Sequence, residues 1–365
     1  MRILIATNHS YMFYRFRREL AEALLRDNEV FLSTPFVGHE DDLRAMGLNC
    51  IETEIDRRSI NPFKDMKLLA SYRKMLGELR PDMVITYSIK PNIYMGKACM
   101  EKHIPYFANV QGLGTAFERP MLSQLVSAMY RSALRRAEKV FFENNENARF
   151  FTDKKIISER QAAVLPGAGI NLDEYPFVPA RDDGVCSFLF VGRIMKEKGV
   201  DEFFAAAKAI KAELGDKAAF DVVGFYEDSY KDVVDGLTAG GVISFHGFQS
   251  EMHPFYAAAD CVVLPSYHEG MSNVLLEGAA SGRALITSDI PGCREIVENG
   301  VSGYLCPARN TEELERAMRA FAAKSFGQQA EMGRCGRKLV ERKFDKRTVV
   351  AQTLQCLSLD RAAGE

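Results

Sequence analysis

The stretch Cys261-Val-Val-Leu-Pro-Ser-Tyr-His-Glu-Gly-Met-Ser-Asn-Val-Leu-Leu-Glu277 predicts an apolar strand, a polar loop and the start of a helix. Glu269 lies in the loop, and Glu277 follows about two helical turns later on roughly the same helix face. A carboxylate beside a glycine at such a turn can bind hydroxyl groups, while the amides of the helix N-terminus face an anion. The stretch therefore predicts an α/β unit with a polar, anionic ligand at the carboxyl end of a strand.

A second motif, Gly192-Arg-Ile-Met-Lys-Glu-Lys-Gly199, directly follows another predicted strand. The planar guanidinium of Arg193 and the point charge of Lys198 suit adjacent phosphates, and they would neutralise a departing nucleoside diphosphate. The sequence contains no Asp-x-Asp, so we expect neither a metal ion nor another cofactor. Taken alone, this motif also fits a solvated turn before a helix.

Short apolar runs alternate with longer amphipathic runs along the whole chain, which predicts parallel sheets covered by helices. A Gly- and Pro-rich segment interrupts this alternation once. We expect an α/β protein with two Rossmann-like domains that face each other across a cleft. The predicted parts are residues 1–170, a linker at 171–184, residues 185–345, and a final helix at 346–365 that crosses back to the first domain.

The composition limits the possible classes of protein. The chain has 365 residues, 47% of them hydrophobic, and a formal net charge of −2, which argues against bulk binding of nucleic acid. Its eight cysteines are scattered without a CxxC pair, which indicates free thiols. No signal peptide and no apolar run near the ~20 residues needed to cross a bilayer are evident, so we expect a cytoplasmic protein.

Together the two motifs resemble the retaining glycosyltransferases of family 4, which have the two-domain GT-B fold, and the resemblance covers nearly the whole chain. It implies that Glu269 contacts the donor sugar and that Glu277 holds the ribose of the nucleotide. The chain has Glu-Gly-Met-Ser where the family more often has Glu-Gly-Phe-Gly, so the loop does not assign the donor sugar. The other donor-site positions implied by the resemblance are Gly192, Gly224, Phe248, Gly270, Met271 and Ser272. For Gly224 and Phe248, a simple turn after a strand is an equally good interpretation.

The N-terminal half carries two further specific runs, Thr86-Tyr-Ser-Ile-Lys-Pro-Asn-Ile-Tyr-Met-Gly96 and Ile104-Pro-Tyr-Phe-Ala-Asn-Val-Gln-Gly-Leu-Gly-Thr-Ala-Phe117. They resemble the subgroup that extends polyprenyl-diphosphate-linked saccharides, including N-acetylgalactosaminyltransferases that act on diacetylbacillosaminyl-diphospho-undecaprenol and capsule and O-antigen enzymes. In these runs Lys90, Asn92 and Gln111 lie at strand ends and are expected to bind the acceptor, together with His9, which follows the first predicted strand, and Arg15 and Arg18, whose charge suits an acceptor diphosphate. For Arg15 and Arg18, a solvated helix face is an equally good interpretation.

The expected reaction is transfer of a hexose or N-acetylhexosamine from a UDP-sugar to a polyprenyl-diphosphate-linked saccharide with retained anomeric configuration. The acceptor half offers no convincing nucleophilic carboxylate, which favours same-face substitution over double displacement. Three alternatives remain open. They are a nucleotide-sugar 2-epimerase, a glycosyltransferase with a soluble acceptor, and a non-catalytic nucleotide-sugar-binding scaffold.

Residues 119–139 predict an amphipathic helix with a basic end. One helical face carries Met121, Leu122, Leu125, Val126 and Met129, and Arg131, Arg135, Arg136 and Lys139 add positive charge. Such a helix can dock on anionic lipid, so we expect peripheral association with the inner face of the cell membrane. The alternative is a core-facing helix with a basic outer side.

Overall fold

The computed structural model describes residues 1–56, 61–113, 117 and 120–358. These residues form two compact units, Met1–Gly169 together with the chain from Lys346 onward, and Ile170–Asp345. Each unit has its own parallel sheet and its own apolar core. The predicted pair of α/β domains is therefore confirmed.

The described part of the first unit contains a seven-stranded parallel sheet in the order β3-β2-β1-β4-β5-β6-β7. The central strands β4 and β5 are buried along their whole length, as expected where helices cover both faces of a parallel sheet. The strands are β1 (Arg2–Ala6), β2 (Glu29–Thr34), β3 (Asn49–Glu52), β4 (Met83–Tyr87), β5 (Tyr106–Val110), β6 (Lys139–Phe142) and β7 (Ala162–Val164).

Helices of the first unit pack on the two faces of this sheet. Tyr72, Met95 and Tyr130 belong to the core on one face, whereas Phe13 and Leu24 belong to the core on the other. The helices are α1 (Ser10–Leu25), α2 (Glu40–Ala45), α3 (Pro62–Leu79), α4 (Ile89–Lys102), α5 (Pro120–Leu134) and α6 (Asn145–Asp153). Because each helix follows a parallel strand, its N-terminus lies at the carboxyl edge of the sheet.

In the second unit, the described residues form a six-stranded parallel sheet in the order β10-β9-β8-β11-β12-β13. The strands are β8 (Cys186–Val191), β9 (Ala218–Val223), β10 (Ser244–Phe245), β11 (Cys261–Leu264), β12 (Ala284–Ser288) and β13 (Gly303–Cys306). The helices are α7 (Val200–Leu214), α8 (Lys231–Ala239), α9 (His253–Ala258), α10 (Asn273–Ala280), α11 (Thr311–Ala322) and α12 (Phe326–Lys343).

A glycine sets the position of α10 on this sheet. A β-carbon at Gly278 would stand 2.7 Å from Cγ2 of Val262 on β11, closer than two carbon atoms can pack. Without that β-carbon, the helix lies directly on the strand. This close packing also fixes the position of the neighbouring residue Glu277 relative to β11.

After α12 the chain returns to the first unit as α13 (Lys346–Cys356), which packs against α1. The buried Lys346 donates from Nζ to the carbonyl of Phe16 at 3.2 Å and lies 3.6 Å from a carboxylate oxygen of Glu19. The eight cysteines all fall within the described ranges and are free thiols. Nowhere in the described chain is a helix both long and apolar enough to span a bilayer.

Candidate functional site

Three loops meet at the carboxyl ends of the adjacent strands β8, β9 and β10. The amide of Gly192 donates to the carbonyl of Val223 at 3.0 Å, and the amide of Gly224 donates to the carbonyl of Gly247 at 2.9 Å. A β-carbon at Gly224 would overlap the carbonyl oxygen of Gly192. The lack of a side chain at Gly224 therefore allows the loops to pack backbone against backbone.

Lys198 and Glu269 form an ion pair at the centre of the second unit's site. Lys198 Nζ lies 2.6 Å from Oε1 of Glu269, and the hydroxyl of Ser266 donates to the same oxygen at 2.8 Å. Both side chains are largely buried, and Oε2 of Glu269 accepts no hydrogen bond from any described residue. The pair thus presents a cation together with a free carboxylate oxygen.

Backbone packing brings these two residues together although they are far apart in sequence. Gly199 has φ of 72°, and a β-carbon there would overlap the carbonyl oxygen of Pro265. The amide of Tyr267 donates to the carbonyl of Glu197 at 2.8 Å. The loop after β8 therefore lies directly on the loop after β11, as the two motifs require.

Arg193 lies in the same loop but does not join the Lys198–Glu269 pair. Its Nη1 is 3.5 Å from Oε2 of Glu227, and its side chain is exposed. Glu227 follows β9 and has no counterpart among the residues predicted from the sequence. Arg193 therefore keeps a solvent-facing guanidinium beside the site.

The loop before α10 is held by its backbone. Ser272 caps α10, with its hydroxyl accepting from the amide of Leu275 at 3.5 Å and its own amide donating to the carbonyl of Gly292 at 2.9 Å. A β-carbon at Gly292 would overlap the carbonyl oxygen of Gly270. Met271 is buried in the core, so only the backbone of this predicted donor-site residue is placed to meet a ligand.

Glu277 is a buried carboxylate and not part of a solvated helix surface. The hydroxyl of Tyr256 donates to its Oε2 at 2.8 Å. Tyr256 belongs to α9, so a residue of a neighbouring helix orients the carboxylate. A buried carboxylate that is held by a hydrogen bond fits a site that binds a polar ligand.

Two exposed aromatic rings extend the site along the sheet. The rings of Phe225 and Phe248 have centroids 6.2 Å apart in an edge-to-face arrangement, and both side chains are exposed. They lie after β9 and β10, next to the Gly224 loop. Phe225 was not predicted from the sequence, because a single aromatic after a strand carries no specific pattern. Such a pair offers a surface on which a nucleotide base can stack.

The first unit has a cavity of about 230 Å³ at the carboxyl ends of β4 and β5. The predicted acceptor residues Lys90, Asn92 and Gln111 all line it. Lys90 Nζ lies 2.7 Å from Oδ1 of Asp65, and the hydroxyl of Tyr94 donates to the other oxygen of Asp65 at 2.8 Å. Burial, together with this hydrogen bond, raises the pKa of Tyr94, so its hydroxyl keeps the proton that it donates.

Asn92 lines the cavity, but its side-chain hydrogen bonds hold the wall of the cavity in place. The side chain is fully buried, its Oδ1 accepts from the Thr86 hydroxyl at 2.7 Å, and its Nδ2 donates to the carbonyl of Asn109 at 2.8 Å. These bonds tie the N-terminal turn of α4 to the ends of β4 and β5. Asn92 therefore positions the strand ends on which Lys90 and Gln111 depend.

Ser88, which also lines the cavity, was missed in the sequence. Its φ of 74° lies in the region that favours glycine, and its hydroxyl donates to Oδ1 of Asn8 at 2.9 Å. Backbone strain of this kind concentrates at functional sites. No sequence signal marks it, because a serine between a strand and a helix is ordinary.

The three remaining predicted acceptor residues lie on α1 or just before it. His9 precedes the helix, with its ring 6.3 Å from that of Tyr11. Arg15 is exposed, and Arg18 lies 3.6 Å from Glu19 and 3.8 Å from Glu22. None of the three is among the described residues that line the cavity, although His9 directly follows Asn8, which does line it.

A different arginine of α1 is buried. Arg17 lies 3.1 Å from Glu143, and its guanidinium stacks 5.1 Å from the ring centre of Tyr87. The sequence did contain the signal, because position 17 follows Phe13 by four residues and precedes Leu20 by three. Arg17 therefore shares the apolar face of α1, whereas Arg15 and Arg18 do not.

The chain matches two family models over most of its length. Residues 2–144 match the model described as "Glycosyl transferase 4-like", and residues 186–324 match the one described as "Glycosyl transferases group 1". Both matches coincide with the parallel-sheet units, and they confirm the resemblance predicted from the sequence motifs.

Two bacterial relatives are similar over much of the chain. N,N'-diacetylbacillosaminyl-diphospho-undecaprenol alpha-1,3-N-acetylgalactosaminyltransferase of Campylobacter jejuni is 29% identical over 333 residues, covering 86% of this chain and 87% of that protein. UDP-Gal:alpha-D-GlcNAc-diphosphoundecaprenol alpha-1,3-galactosyltransferase of Escherichia coli is 26% identical over 280 residues, covering 72% and 71%.

The fold is also similar to that of a solved structure. HepE of Anabaena, crystallised in complex with UDP and glucose, superposes with a TM-score of 0.78 at 17% identity, covering 98% of this chain and 99% of that one. A similarity at this identity concerns the fold alone. Sequence and fold thus agree that the chain belongs to the group 1 and 4-like glycosyl transferases, as a sugar-transferring enzyme with the GT-B fold.

Proposed function

We propose that the protein transfers a hexose or N-acetylhexosamine from a UDP-sugar to a polyprenyl-diphosphate-linked saccharide, in surface-glycan or glycoprotein-glycan assembly. The observation that carries this proposal is the Lys198–Glu269 pair at the carboxyl edge of the second sheet. The acceptor class is supported by the Campylobacter jejuni and Escherichia coli relatives, both named for transfer to a sugar on undecaprenol diphosphate.

On the donor side, Lys198 would neutralise the diphosphate of the nucleotide and the free oxygen of Glu269 would bind a sugar hydroxyl. Arg193, exposed beside the same loop, would add a second cation for the phosphates. Glu277 would accept from the ribose, and the ring pair Phe225 and Phe248 would contact the base. These cations offset the charge that develops on the leaving group, so we propose that transfer needs no metal ion.

We further propose that the anomeric configuration is retained by same-face substitution. The bond between the anomeric carbon and the diphosphate oxygen breaks, and a bond from that carbon to the acceptor oxygen forms on the same face. The acceptor proton passes to the departing diphosphate oxygen. The protein then contributes the positioning of the two substrates and the stabilisation of charge on the departing diphosphate. We assign this role to the Lys198–Glu269 pair.

On the acceptor side, the cavity beside β4 and β5 would take the diphosphate-linked saccharide. Lys90 supplies a cation there, and Gln111 and Ser88 supply hydrogen-bonding groups. Because the acceptor is a lipid, we propose that the protein works in the cytoplasm, peripherally attached to the inner face of the cell membrane.

The proposal is tested by incubating the protein with labelled UDP-sugars and polyprenyl-diphosphate-linked amino sugars in the presence of EDTA. We expect a labelled lipid product with one donor, and its loss in Glu269→Gln. Product that forms only after a divalent metal is restored would contradict metal independence. Release of free epimerised sugar without acceptor would instead support an epimerase.

A further inference from the structure

Two helix ends in the first unit expose large apolar side chains. On α3, Phe63 is 84% exposed and Met66 is 69% exposed, and on α5, Met121 is 87% exposed and Leu125 is 52% exposed. Each pair is spaced three or four residues apart, so its members lie on one face of their helix. Clustered apolar side chains of this kind mark interaction sites on protein surfaces.

Both apolar ends lie at the edge of the sheet that holds the acceptor cavity. The helices α3, α4 and α5 follow the parallel strands β3, β4 and β5, so their N-termini share the carboxyl edge. Within this layer α4 packs against both α3 and α5. The first turn of α4 carries Lys90, so the cavity lies between the two apolar ends.

We propose that the N-terminal ends of α3 and α5 insert into the lipid bilayer that carries the acceptor. This inference rests on the proposed function, because it takes the acceptor to be a polyprenyl diphosphate. The arrangement matches such an amphiphile, since a cation in the cavity faces the diphosphate and apolar side chains on both sides face the hydrocarbon. Insertion would hold the cavity at the membrane surface, where the diphosphate emerges.

The rest of α5 does not act as a helix that lies flat on the membrane. Val126, Tyr130, Ala133 and Leu134 are buried in the core, so the greater part of this helix faces inward. The guanidinium of Arg131 donates to the carbonyls of Lys154 and Lys155, so these hydrogen bonds within the protein already engage it. The predicted lipid-facing helix is thus reduced to its first turns.

The basic end of α5 lies at the opposite edge of the sheet. Arg135, Arg136, Lys139 and Arg160 line a cavity of about 680 Å³ beside the start of β5. A helix of 15 residues is about 22 Å long, so its two ends are far apart. Arg135 and Arg136 directly follow the C-terminal end of α5, where cations complement the helix dipole, so these two charges have an explanation without a lipid.

The first test measures co-sedimentation of the full protein with vesicles of phosphatidylethanolamine and phosphatidylglycerol. We expect Phe63→Ser/Met121→Ser to lower the bound fraction about tenfold, since two inserted side chains are lost. The matched control is Val233→Ser/Val301→Ser, which removes two exposed apolar side chains of the second unit and should bind as the wild type does.

Arg135→Glu/Arg136→Glu distinguishes the two ends of α5. Binding within about twofold of the wild type is expected for this variant, because its apolar ends are intact. Loss of binding here, with retention in Phe63→Ser/Met121→Ser, would overturn the proposal and assign docking to the basic cluster. All four substituted side chains are exposed, and unchanged thermal melting would show that the variants are folded.

The second test compares kcat/KM for a vesicle-embedded polyprenyl acceptor and for a water-soluble acceptor with a short isoprenoid chain. Phe63→Ser/Met121→Ser should lower kcat/KM about tenfold for the embedded acceptor and leave it unchanged for the soluble one. Equal losses for both acceptors would overturn the proposal. If the wild type used neither acceptor, the proposed function would fail, while the vesicle experiment would still decide the docking.

Discussion

At the scale of single residues, the buried Arg17–Glu143 pair carries a clear expectation for stability. Arg17→Met breaks the largely buried ion pair with Glu143, and breaking such a pair typically lowers the free energy of unfolding by about 3–5 kcal/mol. For Arg15→Met, on the exposed face of α1, the free energy of unfolding should stay within about 0.5 kcal/mol of the wild-type value. Urea unfolding of both variants measures the difference. Equal midpoints would show that Arg17 does not stabilise the fold.

Asp65 is a residue that we expect to act through Lys90. In Asp65→Asn the cation loses its partner carboxylate, and its position in the cavity becomes less defined. We expect KM for the acceptor to rise about tenfold and KM for the donor to stay unchanged, as steady-state kinetics with each substrate varied would reveal. The matched control is Glu101→Gln, which removes the acid of the exposed Arg73–Glu101 pair. An equal effect of both variants would rule out the positioning role.

The structure brings predicted site residues together where the chemistry of the motif and its position after a strand pointed to the same place. Lys198 and Glu269 were both expected from their motifs, and the structure places them 2.6 Å apart. Arg15 and Arg18 were chosen for their charge alone, whereas the arginine that is buried is the one on the apolar face. Asp65 was not predicted, since its contact with Lys90 joins two helices that are distant in sequence.

At the scale of elements, Gly199 should be more sensitive to substitution than other glycines with positive φ. Gly199→Ala combines strain at φ of 72° with overlap against the backbone of Pro265. Gly241→Ala is the control, because φ is 67° there but no atom lies within 4 Å of the added carbon. In thermal unfolding, we expect the free energy of unfolding to fall by about 1 kcal/mol for the control and by clearly more for Gly199→Ala. The opposite order would mean that the two loops do not pack as described.

The elements themselves were largely predictable, with one exception near the site. The alternation of strands and helices predicts a helix between β12 and β13, but the structure has a single 3-10 turn there at Arg294–Ile296. Gly292 packs on the backbone of Gly270, and its amide donates to the carboxylate of Glu295 at 2.8 Å. This packing is a tertiary constraint, and no local pattern of the sequence contains it.

At the scale of the whole molecule, the alternation of strands and helices was enough to predict two parallel-sheet units. Central strands that are buried on both faces read as continuous apolar runs, and such runs are distinctive. The cavity that we propose for the acceptor was predictable only in part, because its lining comes from several separate segments. The motif around Lys90 indicated its place, while the contributions of Asn8 and Ser88 required the structure.

The central claim, that Lys198 and Glu269 together support sugar transfer, is tested most directly by comparing kcat in Lys198→Met and Lys196→Met. The two lysines lie in the same loop, and Lys196 is exposed. The account predicts a fall in kcat of about 10²- to 10³-fold for Lys198→Met, since a cation at the leaving group is lost, and a change below about twofold for Lys196→Met. Full activity of Lys198→Met would contradict it.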